Sequence, residues 1–138
     1  MYLPGCASVP MASADLDKAK KEFSAPADGK SGLYIYRNST FGAAFKKTVS
    51  LDREVIGETA PNTYFYKEVE PGTHEITTES EFSDNKLLLE FTKGVNYFVH
   101  QYIKFGAFVH GAGLKEVTEE EGKKGVLECN LAQPNPSL

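Results

Sequence analysis

A chain of 138 residues, 41% hydrophobic and 25% charged, forms one folded domain and can bury a core without metal or disulfide support. Its net charge of −4, with acids and bases interspersed, leaves no basic patch, so nucleic acid is not an expected partner and an anionic leaflet offers no electrostatic hold. No stretch of about 20 apolar residues exists, so no membrane-spanning helix is expected.

The chain opens Met1-Tyr2-Leu3-Pro4-Gly5-Cys6. Leu-x-Gly-Cys has the form of a bacterial lipobox, which makes Cys6 a lipidation site and the membrane a partner through that anchor. Too few residues precede Cys6 to hold the charged start and the apolar run of about 7–15 residues that a complete signal peptide needs. Either residues 1–6 are the remnant of a signal that lies upstream, or the motif is accidental. The second cysteine is Cys129. With Cys6 acylated it stands alone as a helix thiol; otherwise the two form a disulfide across the termini, or remain unrelated thiols. Neither sits in a CxxC or near a histidine, so redox catalysis and zinc binding find no support there.

Residues 7–31 read as a spacer with a short helix. Ser13 caps a helical stretch from Ala14 to Phe23, with Leu16, Ala19 and Phe23 on one face, and a linker rich in Pro, Gly, Ala and Ser runs to Ser31. Strands follow at close spacing: Leu33–Tyr36, Phe45–Leu51, Val55–Ile56, Thr63–Lys67, Thr73–Glu79, Lys86–Phe91, Val95–Lys104 and Ala107–Leu114. Pro71-Gly72 supplies a turn before Thr73, and Lys93-Gly94 another before Val95. Thr118 with Glu121 makes a capping box for a last helix, weakened by Gly122 and Gly125 at up to about 1 kcal/mol each. Val126, Cys129 and Leu127 are its candidates for docking on the sheet; Asn130 and Pro134-Asn135-Pro136 end it. Strands without a βαβ rhythm predict an all-β fold: an Ig-like or prealbumin-like antiparallel sandwich of seven or eight strands with short N- and C-terminal helices. The domain is expected over 32–131 and a tail over 132–138.

The segment Leu51-Asp52-Arg53-Glu54-Val55-Ile56-Gly57-Glu58-Thr59-Ala60-Pro61, followed by Val69-Glu70-Pro71-Gly72-Thr73-His74, resembles the hairpin of PEGA-type β-domains. Arg53 stands where that pattern has glycine. Gly5-Cys6-Ala7, Gly32-Leu33-Tyr34-Ile35-Tyr36-Arg37, this hairpin and Gly94-x-Asn96-Tyr97-Phe98-Val99 occur in an order similar to a family of small bacterial predicted lipoproteins catalogued as a domain of unknown function. The resemblance implies a lipid anchor at Cys6 and implies no activity. Pro4 departs from the small residue usual in the lipobox.

Candidate chemistry is sparse. If residues 95–114 form a hairpin around Gly106, His100 and His110 lie on neighbouring strands and, with Glu90 or Glu116, have the donor types for a metal; ordinary strand histidines are the competing reading. His74, after Pro71-Gly72, is expected to stabilise the turn. No G-x-S-x-G elbow or phosphate-binding glycine loop occurs, and Glu119–Glu121 reads as a solvated helix start, so neither an enzyme nor a cofactor is expected. Tyr34, Tyr36, Tyr64 and Tyr66 place paired rings on strand faces. An outward row would be a partner surface; the favoured alternative is a second packed layer beneath the terminal helices, which need a sheet to cover.

Together these readings give a non-catalytic, lipid-anchored module of the bacterial cell envelope that binds an envelope protein or cell-wall glycan through its sheet. Ala7 after the cysteine, where an aspartate would retain the protein at the inner membrane, favours the outer membrane facing the periplasm. The alternatives are a periplasmic small-ligand or metal-binding protein using His100 and His110, and, formally, a hydrolase.

Overall fold

The computed structural model describes residues 8–40, 45–79, 84–104 and 111–134; Cys6, Phe105, Phe108 and His110 lie outside them. Nine strands form two sheets. Sheet I runs β8 (Gly111–Val117), β7 (Asn96–Lys104), β1 (Ser31–Arg37), β4 (Thr63–Val69), β9 (Asn130–Leu131); sheet II runs β3 (Glu54–Thr59), β2 (Lys47–Leu51), β5 (Gly72–Glu79), β6 (Asp84–Phe91). The sandwich is as expected, with one difference in pairing. β1 pairs β7 in parallel and β4 pairs β9 in parallel, so sheet I is mixed. The cause is connectivity: between β1 and β7 the chain crosses to sheet II and back twice, which frees β7 from hairpin geometry.

β1 explains why Leu33-Tyr34-Ile35-Tyr36 lacks polar alternation. It is central in sheet I and buried along its whole length. Leu33 and Ile35 face the core between the sheets, with Val49, Phe65, Ile76 and Val99; Tyr34 and Tyr36 face the opposite way, with Tyr64, Phe98 and Val126. The molecule therefore has three layers: sheet II, sheet I and a layer holding α1 (Ala14–Lys20) and α2 (Glu119–Leu127). A polar chain crosses the inter-sheet core. Thr59 donates to Gln101 Oε1 at 2.6 Å, and Gln101 Nε2 donates to Thr78 at 2.8 Å, joining β3, β7 and β5.

Leu51 pairs with Glu54, so Asp52-Arg53 is a two-residue hairpin turn, and both residues have positive φ, 50° and 70°. That is the turn that matches strand twist, and it favours glycine at its second position. The register shifts between Val49 and Ser50, leaving Ile56 as the extra residue of a bulge beside Gly57. Arg53→Gly relieves a left-handed side-chain clash of about 1–2 kcal/mol, partly offset by glycine's unfolded-state freedom. A rise of about 0.5–1 kcal/mol in unfolding free energy is the expected result in urea titration.

Three boundaries differ from the sequence reading. The last long strand runs Gly111–Val117, past the expected end at Leu114, and the expected start at Ala107 lies outside the described residues. α2 ends at Leu127, so Cys129 is not a helix thiol but lies between α2 and β9, and Leu127 is exposed. The supposed spacer is not one. Val9 packs against the inter-sheet core, Gln133 N–H donates to Pro10 O at 2.9 Å, and Met11 bridges Ala132. Further along, Ala27 N–H donates to Glu68 Oε2 at 2.8 Å and Gly94 N–H to Lys30 O at 2.8 Å. Polar, proline-rich composition suggested a tether, but backbone groups of this segment meet partners on the sandwich. Ala132, assigned to the tail, is fully buried.

Candidate functional site

Tyr34, Tyr36 and Tyr64 are 1%, 2% and 0% exposed, so this row is not a partner surface; Tyr66 is half-buried at its edge. The cause is the helical cover. α2 reaches the face because Gly122 and Gly125 point at it: a Cβ on Gly122 would collide with Phe98 Cβ and Cγ, and one on Gly125 with the Tyr36 ring. The residues read as helix-weakening are the ones that let α2 lie close to the sheet.

α1 is docked differently from the expected apolar stripe. It buries none of its residues; Leu16 and Ala19 face solvent, and Phe23, past the helix end, packs on Tyr34 and Phe98 at ring distances of 5.4 and 5.8 Å. Its hold is polar. Tyr64 donates to Asp17 Oδ1 at 2.8 Å, Leu131 N–H donates to the same oxygen at 3.2 Å, and Lys21 Nζ lies 3.1 Å from Oδ2. Tyr34 donates to Lys20 O at 2.8 Å. Buried phenols need acceptors, and α1 supplies them. Burial, with Asp17 as an added cause, raises Tyr64 above the ordinary phenol range, and burial alone is the main cause that pushes Tyr36 up to about 12.

His100 lies beside α2. Its ring stacks on Tyr36 at 4.9 Å and 17°, and its Nε2 is buried without a hydrogen-bond partner. Burial lowers its pKa; Glu121 opposes that shift and Lys115 adds to it. The imidazole is therefore neutral at pH 7. Tyr36, Asn38, Glu121, Lys124 and Glu128 line a surface pocket of about 300 Å³ with it. The strand register sets Lys115 opposite His100. His110, outside the described residues, directly precedes Gly111, whose partner is Lys104, four residues further along β7. Glu116 pairs with Val99 and so points away from the His100 face, and Glu90 belongs to sheet II. Among the described residues no three His, Cys, Asp or Glu donors converge.

His74 holds two turns together. Its Nδ1 lies 2.5 Å from Asp52 Oδ2 and its Nε2 2.7 Å from Glu70 O. Both partners are acceptors, so both ring nitrogens donate and the ring is an imidazolium. Burial opposes the charge, but the bonds to Asp52 and Glu70 raise the pKa above 6.5. Asp52 also accepts Glu75 N–H at 2.9 Å and donates its own N–H to Glu75 O at 2.7 Å. The pin joins the β2–β3 turn to the start of β5. Its contribution is complete below pH 6.5 and disappears as pH rises through the raised folded-state pKa. Stability curves of the protein and His74→Ala should accordingly lie furthest apart near pH 5.5, by about 1 kcal/mol more than at alkaline pH, a value reduced for the half-exposed Asp52; the edge contact of the ring with Phe91 remains at both. His100 has the opposite sign: with its folded-state pKa depressed, stability falls as pH drops below 6.5, and His100→Gln should flatten that slope in the same denaturation series.

Cys129 is sealed. It is 1% exposed, its thiol donates to Arg37 O at 3.5 Å, and burial pushes its pKa up to about 12, so it is no nucleophile at neutral pH. Sequence reading missed Asp17 as the anchor of α1 and Gly122 and Gly125 as the close approach of α2. Gly-x-x-Gly on a short helix was the available signal for the second; the first had none, because an aspartate in a first turn is ordinary helix chemistry.

No helix among the described residues is long and apolar enough to cross a membrane. A family model described as "Protein of unknown function (DUF2846)" matches residues 27–112, a span that begins just before β1, ends at the start of β8 and leaves out both helices. An "Uncharacterized protein" of Haemophilus influenzae is 50% identical over 132 residues, covering 96% of this chain and 79% of that protein. No solved structure matches the chain. This chain belongs to the DUF2846 family of proteins of unknown function.

Proposed function

We propose that this protein is a lipid-anchored module of the bacterial cell envelope, acylated at Cys6, held at the outer membrane facing the periplasm, and non-catalytic. The observation that carries the reading is Leu3-Pro4-Gly5-Cys6 placed three residues before Val9, where the chain joins the core. The order of family-like motifs from Gly5 to Val99 supports it. The chemistry of the described side chains supports the non-catalytic part: the Cys129 thiol is sealed, and His74 is committed as a cationic pin. With the tyrosine face covered, binding of an envelope protein or cell-wall glycan falls to the outer face of sheet II. There Ser50, Arg53, Glu75, Thr77 and Lys86 line a shallow polar hollow beside Leu88, which is 68% exposed. Mass spectrometry of the protein from its host membrane tests the anchor. An acylated N-terminal peptide beginning at Cys6 is expected; an intact Met1 with a free Cys6 thiol would overturn it.

A second reading, a small-ligand or metal-binding protein, draws on the buried, unpartnered Nε2 of His100 beside a polar pocket. Zinc titration of the full chain against His100→Ala separates the two. Binding that the variant loses favours the second reading, and equal, negligible binding removes it.

A further inference from the structure

We propose that the domain does not hang free below its anchor but rests on the bilayer through the apolar groove beside α1, with Met11 and Leu16 entering the headgroup–acyl boundary. The proposal rests on the anchored reading of Cys6 and adds a lipid surface as the partner of one defined face.

The first observation is the length of chain. A 25-residue spacer would leave a domain free to tumble. Here Val9 already packs against the core, so only Ala7 and Ser8 separate it from Cys6. Three residues of extended chain reach at most about 11 Å from Cα to Cα. Pro10 and Met11 are tied to Gln133 and Ala132, so the chain leaves this side of the fold with little slack. An acylated Cys6 would hold the neighbouring surface within a headgroup layer of the membrane.

The second observation is what that surface carries. Met11 is 43% exposed and Leu16 45%, and both line a groove of about 310 Å³ with Leu131, Ala132 and Pro134. Leu16 faces outward because α1 docks through Asp17 and the Lys20 carbonyl, so the helix presents its apolar side away from the protein. Lys20, whose ammonium lies 4.6 Å above the Tyr66 ring, borders the groove. A lysine beside exposed apolar side chains suits an interface, where the stem lies along the apolar layer and the charge stays in water. A seven-residue helix is too small to bind a bilayer by itself; the tether makes the contact by fixing its local concentration. With a chain charge of −4, contact by apolar insertion is expected on neutral lipid.

The chain has no tryptophan, so a single introduced one reports its own position. Leu16→Trp and Leu88→Trp are each linked through Cys6 to phosphatidylcholine vesicles carrying a small fraction of maleimide lipid, with buried Cys129 shielded from the reagent. Leu88 lies on sheet II, the layer opposite the groove. On linkage, the Leu16→Trp emission should shift to shorter wavelength and lose more than half its intensity to nitroxide placed high on the acyl chains, while Leu88→Trp stays unchanged. Adding Met11→Asp to Leu16→Trp should reverse both effects. Unshifted, unquenched Leu16→Trp emission on linked vesicles, or equal quenching at both sites, overturns the proposal. The chemical link replaces native acylation, so failure of the anchored reading, read by mass spectrometry, is distinguishable from failure of membrane contact, read by fluorescence.

Discussion

Gly122→Ala is expected to lower the unfolding free energy by about 2–3 kcal/mol, although alanine is the better helix former by about 1 kcal/mol. The new methyl group would fall on Phe98 Cβ, which is fixed to the backbone of β7 and cannot rotate away. Either α2 lifts off sheet I or β7 shifts, and both open the layer of Tyr36, Phe98 and Val126. Gly125→Ala meets the buried Tyr36 ring and should lose a comparable amount, whereas Lys124→Ala, with only a small gain in propensity and no such collision, should be nearly neutral. Urea midpoints of the three variants make the comparison, and a stabilised Gly122→Ala would show that α2 does not rest on β7.

Asp17→Ala is expected to lose about 2–3 kcal/mol and to release α1 before the sandwich unfolds. The carboxylate accepts from Tyr64 and from Leu131 N–H on one oxygen and pairs with Lys21 on the other. Its removal leaves a buried backbone N–H on β9 without that partner and the phenol with only the longer bond to Asp17 O, at 3.3 Å. Because α1 buries no residue of its own, little apolar contact remains to hold it. Hydrogen exchange should show faster amides over residues 14–23, with the β1 and β4 amides still protected. Tyr64→Phe removes one of the three bonds and should fall between the variant and the parent. Unchanged exchange over 14–23 in Asp17→Ala would place the hold on α1 in Phe23 instead.

The sandwich was legible because strand signals are local. Alternation in Lys47–Leu51, aromatic and β-branched runs in β1 and β7, and turn chemistry at Pro71-Gly72 each act over a few residues and survive without knowledge of neighbours. The hairpin at Asp52-Arg53 was legible for the same reason, even with arginine in the glycine place. So was the stabilising part of His74, which follows from its distance to the turn. Pairing was not legible. The parallel partnership of β1 with β7 joins residues more than sixty positions apart, and nothing in either segment names the other.

The same limit governs the candidate surfaces. Four tyrosines on strand faces state that two rings share a side; they do not state what lies above them. The sequence by itself determined the strands and the helix caps at Ser13 and Thr118, since each depends on residues within a turn or two. Only the tertiary structure decided that Tyr34, Tyr36 and Tyr64 are interior, that Gly122 and Gly125 are contact points, that Val9 already packs against the core, and that Leu16 and Met11 face outward. Burial is a property of the assembled layers: whether a face is core or surface depends on which distant segment finds its hydrogen-bond partners there, as Asp17 does on Tyr64 and Leu131.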